Sequence, residues 1–356
     1  MNLYCDGMDG VVTLQSYFSA YESSILLFSH VGDPRNTFLV LFPLTYCLDT
    51  CLGLKVLWTS AIVEWLNALL KWLVRDDRPY WWSSESCPYP YKQIIKQFPI
   101  TCESGPGFPS GHVMANSSLG FLLILHIASH IRSKKTKVAF LMVTVPCLVS
   151  LVTLVCISRV YIATHFPHQV IVGAIVGCCC ALLLNSVLTA HSVDLMFSVK
   201  AAFCGCSCLL IGVMLYYLLQ FLDLNPLATV NLALEHCKSR DWVHLDTTLF
   251  FAIIRDAGCL TGLGLTSWLL NVLLGPQAKD VILEGKLPGC FSVVGMFVIC
   301  PLVYFIESFD IPQKSILTFY VIAFIKFCLL PCYVIASKCL FEMLCDYIIP
   351  KKCKKK

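Results

Sequence analysis

The chain has 356 residues, 57% of them apolar and only 13% charged, far from the share of about 25% charged in an average soluble domain. That balance excludes a nucleic-acid module, a disordered regulator and a disulfide-rich secreted domain, and the net charge of +4 comes mostly from a Lys-rich tail. The 22 cysteines scatter through apolar runs, as at Cys178, Cys179 and Cys180, and read as small core residues.

In chain order, apolar runs of about 20 residues, the length that crosses a bilayer, lie near 24–45, 54–74, 112–131, 138–157, 165–185, 201–222, 249–274, 288–308 and 316–337. Nine spans put the two ends of the chain on opposite sides. The first 34 residues carry no Lys or Arg, whereas Arg132, Lys134, Lys135 and Lys137 fill the third-to-fourth connection and five lysines crowd 351–356. By the positive-inside rule the amino terminus is translocated and the tail is cytoplasmic, which leaves the connections after spans two and four on the non-cytoplasmic side. The expected fold class is all-α: a polytopic membrane protein of about nine transmembrane helices, a single membrane-embedded domain over 1–356. Its catalytic motifs fall within 64–169 and its basic cytoplasmic tail at 338–356.

Three segments carry chemistry. In span two, Glu64, Asn67, Lys71 and Arg78 share one face of a helix by their spacing, and a polar stripe inside lipid must face protein or water. Pro79 biases Arg78 away from the α region and ends that helix at the membrane surface. Next, Pro109-Ser110-Gly111-His112 precedes an apolar run: Ser110 suits an N-cap, Gly111 lets backbone approach a ligand, and the unpaired amides of a helix start attract an anion. Third, Ser158-Arg159 is followed after five residues by His165-Phe166-Pro167-His168, with Pro167 in the first turn of span five.

Together these segments describe Lys71, Arg78, Arg159 and helix-start amides around a tetrahedral oxyanion, with His112 and His165 on either side of it. Such a set suits phosphoryl transfer, which needs charge neutralised over three equatorial oxygens, an in-line nucleophile and a proton for the leaving oxygen. No His-Glu-x-x-His, paired Cys-x-x-Cys or Asp cluster is present, so no metal and no other cofactor is expected.

The motifs Lys71-x6-Arg78-Pro79, Pro109-Ser110-Gly111-His112 and Ser158-Arg159-x5-His165 resemble the signature segments of the type 2 phosphatidic acid phosphatase and vanadium haloperoxidase superfamily. Arg78-Pro79-Tyr80-Trp81-Trp82, the run from Cys102 to His112, His165-Phe166-Pro167-His168-Gln169 and the run from Trp242 to Thr248 narrow the likeness to the glucose-6-phosphatase catalytic subunits. The resemblance implies a phosphatidic acid phosphatase-like helical core and hydrolysis of glucose 6-phosphate at the lumenal face of the endoplasmic reticulum through a phosphohistidine. It implies His165 as nucleophile and His112 as proton donor, with Lys71, Arg78, Ser110, Gly111 and Arg159 holding the phosphate. The partners it implies are glucose 6-phosphate, membrane lipid and a glucose-6-phosphate transporter, with no nucleic acid. A lipid-phosphate phosphatase of the same superfamily, or a weakly active paralogue with a regulatory or binding role, would carry the same three motifs.

The chain departs from this pattern at three places. The superfamily usually has Asp four residues after the nucleophilic His, where this chain has Gln169, as glucose-6-phosphatases do. Phe108 stands where Ser is usual, and Arg75-Asp76-Asp77 brings charges to a stretch that usually has fewer. Elsewhere, Asp33-Pro34-Arg35-Asn36 interrupts the first apolar run, as a wall of the site or as an Asp33–Arg35 pair. Cys87 and Cys102 share the long loop and are candidates for a disulfide in an oxidising compartment.

Overall fold

The computed structural model describes residues 2–85, 95–189, 193–275, 299–301, 303–305, 308–309, 311 and 315–348, and among these there are helices and loops but no strand. In chain order the helices are α1 (Asn2–Tyr17), α2 (Glu22–Val31), α3 (Phe42–Leu48), α4 (Thr50–Val74), α5 (Pro79–Glu85), α6 (Gly111–His130), α7 (Lys134–Tyr161) and α8 (Pro167–Val187). They continue with α9 (Val193–Met196), α10 (Val199–Phe221), α11 (Ala228–His236), α12 (Leu249–Leu274) and a last described helix, Ile316–Ile348. Six of the described helices are long and apolar enough to cross a membrane: α6, α7, α8, α10, α12 and the last one. The chain is therefore a multi-pass membrane protein.

The remaining expected spans fare differently. The run at 54–74 is helical within the 25 residues of α4. The run at 24–45 is not one helix: α2 stops at Val31, and a π-helical turn at Thr37–Leu41 leads into the short α3. Gly32, Asp33 and Pro34 account for the break, because Pro34 disfavours helical geometry at Asp33. Most of the run at 288–308 lies outside the described residues.

Contacts divide the chain into two compact units. One holds 1–34, 62–185 and 210–253; the other holds 35–61, 186–209 and 254–356. In the second unit, buried charges are satisfied internally. Arg255 Nε donates to Asp256 Oδ1 at 2.9 Å, and Lys338 Nζ donates to Thr50 Oγ1 at 2.6 Å and to the Tyr46 carbonyl at 3.2 Å. Pairing of this kind is what lets ionised groups sit within a bilayer.

In the first unit the packing of α6 on α8 sets the position of the Pro109–His112 segment. A Cβ on Gly173 would lie 2.8 Å from the Ser110 carbonyl oxygen, and one on Gly177 would lie 2.0 Å from Ser117 Oγ and 2.4 Å from the Met114 carbonyl oxygen. These two small residues, one helical turn apart, let the two helices approach at backbone distance, as small-xxx-small pairs do in membranes. Behind this pair, an aromatic cluster of Tyr80, Trp81, Trp82 and Phe166 packs with Met8 of α1. Burying each large ring there contributes at most about 3 kcal/mol.

Cys102 is bonded to Cys237, 135 residues away, and not to Cys87, which lies outside the described residues. Sequence proximity favoured the nearer cysteine; the fold instead brings the loop before α6 against the end of α11. Closing so long a loop stabilises chiefly by restricting the unfolded chain, typically by 2 to 4 kcal/mol. Cys237→Ser should therefore lower the melting temperature of the detergent-solubilised protein by about 5 °C or more. Cys102→Ser should match it, and the double substitution should fall no further than either single one, because all three remove the same bond.

Candidate functional site

Every residue singled out in the three motifs lies in the first compact unit. Lys71 occupies the last turn of α4, buried, in electrostatic reach of Glu64, Arg78, Glu103 and Arg159. One turn earlier, Asn67 Nδ2 donates to the Pro109 carbonyl at 3.1 Å and ties α4 to the Pro109–His112 segment. Arg78 is not on the α4 face with them. The helix ends at Val74, where Arg75 takes a φ of 56° and the Asp77 amide turns to Asp76 Oδ1 at 3.1 Å. Pro79 opens α5 and does not close α4, as its fixed φ and missing N–H suit a first helical position.

Released from the helix, Arg78 is fully buried and uses its whole fork. Nε donates to the Gly105 carbonyl at 2.5 Å, Nη2 to the Pro106 carbonyl at 3.1 Å and Nη1 to the Thr164 carbonyl at 3.2 Å. Arg159, in the last turn of α7, is buried as well; its Nη1 donates to Ser29 Oγ at 2.9 Å. The turn after α7 folds back on that helix: the Thr164 and His165 amides both donate to the Arg159 carbonyl, and Ala163 has a φ of 56°. This places His165 beside Arg78, with Nε2 3.5 Å from Nη1.

Nδ1 of His165 lies 2.8 Å from the Gly107 carbonyl and 3.2 Å from Gln169 Oε1. Both neighbours are acceptors, which assigns the proton to Nδ1 and leaves the lone pair on Nε2. Burial, with the Arg78 and Arg159 guanidiniums beside it, holds the imidazole well below the ordinary histidine range, so it is neutral at neutral pH.

Ser110 stands at the N-cap of α6 by backbone position, but its side chain makes no capping bond. Its Oγ is buried without a partner among the described residues. An orphaned hydroxyl costs free energy in a dry site unless a ligand completes it, so it suits a residue that meets an anion. Gly111 follows it, and a Cβ there would lie 2.9 Å from Asn67 Oδ1. His112, mostly buried, has Nδ1 3.8 Å from Glu103 Oε1.

Glu103 is the residue that sequence reasoning missed. Its carboxylate is shared by the two guanidiniums: Oε2 is 3.0 Å from Arg78 Nη2, and Oε1 accepts from Arg159 Nη2. Burial alone would raise this carboxyl, yet Arg159 and Arg78 outweigh it and hold it well below the usual carboxylate range. Its place in the Cys102–His112 run was visible; its role was not, because an acidic residue in a loop has no periodic signature. Asp33 also lies in electrostatic reach of His112 and Arg159, so this residue of the first apolar run belongs with the site.

The site thus gathers Lys71, Arg78 and Arg159, a neutral imidazole with a free Nε2 lone pair, a second histidine and an orphaned hydroxyl, with one carboxylate between the guanidiniums. A tetrahedral oxyanion placed among these cations would compete with Glu103 for them. Glu103→Gln should lower stability in phosphate-free detergent by about 3 kcal/mol, because it removes the carboxylate that pairs with both buried guanidiniums. Inorganic phosphate should then raise the melting temperature of the variant more than that of the parent. Equal phosphate responses in the two proteins would remove Glu103 as the competing anion.

Residues 52–192 match the PAP2 superfamily, a stretch that contains all three motifs. The chain is 34% identical over 343 residues to "Glucose-6-phosphatase 2" of Homo sapiens, covering 94% of each chain. It is 33% identical over 342 residues to "Glucose-6-phosphatase catalytic subunit 1" of Felis catus, covering 93% of this chain and 92% of the other. It is 35% identical over 331 residues to the protein of that name in Haplochromis nubilus, covering 91% of each. No solved structure matches it. With this identity over nearly its whole length, and with the PAP2 motifs assembled into one site, the chain belongs to the glucose-6-phosphatase family of membrane-embedded phosphatases.

Proposed function

We propose that the protein hydrolyses glucose 6-phosphate to glucose and phosphate at the lumenal face of the endoplasmic reticulum, through a phosphohistidine on His165. The observation that carries the reading is the convergence of His165 Nε2, the Arg78 fork and the Glu103 carboxylate shared with Arg159. Lys71, Arg78 and Arg159 take the phosphoryl oxygens, displacing Glu103, while Ser110 Oγ and the Gly111 segment add hydrogen bonds. His165 Nε2 attacks phosphorus as the bond from phosphorus to the sugar oxygen breaks, and His112 supplies the proton that the leaving oxygen takes. Water then attacks the phosphorus of phosphohistidine, His112 accepts its proton, and the N–P bond breaks to release phosphate. Preorganised cations in a dry site stabilise the charge that develops over the equatorial oxygens.

The lumenal orientation has two supports. The amino-terminal 34 residues lack Lys and Arg while the third-to-fourth connection and the tail are rich in them. The Cys102–Cys237 bond joins two loops that parity puts on the same, non-cytoplasmic side, and such bonds persist in oxidising compartments. Substrate made in the cytosol must then cross the membrane, which makes a glucose-6-phosphate transporter a functional partner.

Purified protein should release phosphate from glucose 6-phosphate, and quenching without acid after addition of phosphoryl-labelled substrate should trap label on the chain. His165→Ala should abolish the label; undiminished labelling in that variant would remove His165 as nucleophile. In sealed, correctly oriented vesicles without a sugar-phosphate transporter, hydrolysis should be latent and should emerge when detergent opens them. Full activity in the sealed vesicles would reverse the orientation.

A further inference from the structure

Asp76, Phe108 and Gln169, the departures from the superfamily pattern, lie close together beside His165 and His168. Asp76 stands in the loop between α4 and α5, and its carboxylate is saturated with donors. Oδ2 accepts from Gln169 Nε2 at 2.8 Å and from His168 Nε2 at 2.9 Å, while Oδ1 accepts from the Tyr4 hydroxyl of α1. Phe108 stacks against His168, with ring centroids 6.4 Å apart, and covers one side of this cluster. Burial would raise the Asp76 carboxyl, but the bonds from His168, Tyr4 and Gln169 reverse this and hold it below its usual value. A carboxylate so held is ionised throughout the neutral range.

The Gln169 amide links this charge to the nucleophile, and its orientation is determined. Nε2 has only acceptors before it, Asp76 Oδ2 at 2.8 Å and the Asp77 carbonyl at 2.7 Å. Oε1 must therefore face the Phe166 amide at 3.0 Å and His165 Nδ1 at 3.2 Å. The Asp77 carbonyl and the Phe166 amide hold this orientation together with Asp76, whose charge polarises the amide and strengthens Oε1 as the acceptor of the Nδ1 proton.

We propose that Asp76 is the anionic positioning residue of this phosphatase, acting on His165 through the Gln169 amide. The inference rests on the reading of His165 as nucleophile. It assigns to the loop after α4 the negative charge that an Asp four residues after the histidine supplies elsewhere in the superfamily. The polarised amide stabilises the Nδ1–H tautomer and the positive charge that His165 gains as its Nε2 bonds to phosphorus, just as a buried carboxylate orients and stabilises an imidazole in hydrolases. The charged groups that act on His165 directly are Arg78, Arg159, Glu103 and Lys71; Asp76, which also holds His168 and Tyr4, reaches the ring through Gln169.

The test uses full-length protein in detergent, with folding followed by thermal melting. Asp76→Asn, nearly isosteric, should lower kcat about tenfold or more with KM within about twofold, and should move the acid limb of kcat/KM to lower pH, because a negative charge favouring protonated His165 is lost. Gln169→Leu breaks the link from the other end and should show the same limb shift, so either variant that folds decides the question. In the Gln169→Leu background, Asp76→Asn should cost little more. A normal kcat with an unmoved acid limb in Asp76→Asn, or a full and additive loss in the double variant, would overturn the proposal. His165→Ala separates the two readings. If it abolishes the phosphoenzyme while Asp76→Asn behaves as the parent, only the role of Asp76 fails; if label persists, the nucleophile assignment fails first.

Discussion

Two guanidiniums buried side by side dictate much of the architecture around the site. Arg78 and Arg159 lie with almost no exposed surface, and like charges in a poorly solvated interior repel unless an anion and oriented dipoles surround them. Glu103 supplies the anion, and carbonyls of Gly105, Pro106 and Thr164 supply dipoles to Arg78. The irregular backbone at 102–110 and the turn after α7 exist in a form that points these carbonyls inward. Without them the cations would have to stay in water, and the charge density that a phosphoryl oxyanion meets would be lost.

The same backbone that neutralises the arginines also orients the histidine. Gly107, two residues beyond Gly105, gives its carbonyl to His165 Nδ1, and Thr164, the neighbour of His165, gives its carbonyl to Arg78. Neutralisation of the arginines and orientation of His165 are therefore one structural unit, and substitutions in the loop will affect both. This coupling explains why the loop is rich in Gly and Pro: few residues permit so many carbonyls to converge over so short a stretch.

Much of the site was legible from sequence because Lys71, Arg78, Ser110, His112, Arg159 and His165 belong to short motifs whose residue types suit oxyanion chemistry at those spacings. The long helices were legible too, since lipid imposes a length and an apolar composition on them. What escaped depended on single backbone angles or on distant partners. The end of α4 turns on the conformation of Arg75, which no side-chain pattern announces. Glu103 meets Arg159, 56 positions away, Asp76 meets His168, 92 positions away, and Cys102 finds a partner 135 residues on. Periodicity carries no information about such pairings.

The long-range bond also sets an order on biosynthesis. Cys102 belongs to the loop that presents Glu103, Gly105 and Gly107, and all three motif segments have been synthesised by residue 169. Their loop cannot be fastened until Cys237 follows, after α8 and α10 have been made and inserted. A nascent chain stalled or truncated before Cys237 would contain every catalytic motif and still lack the closure that holds them together.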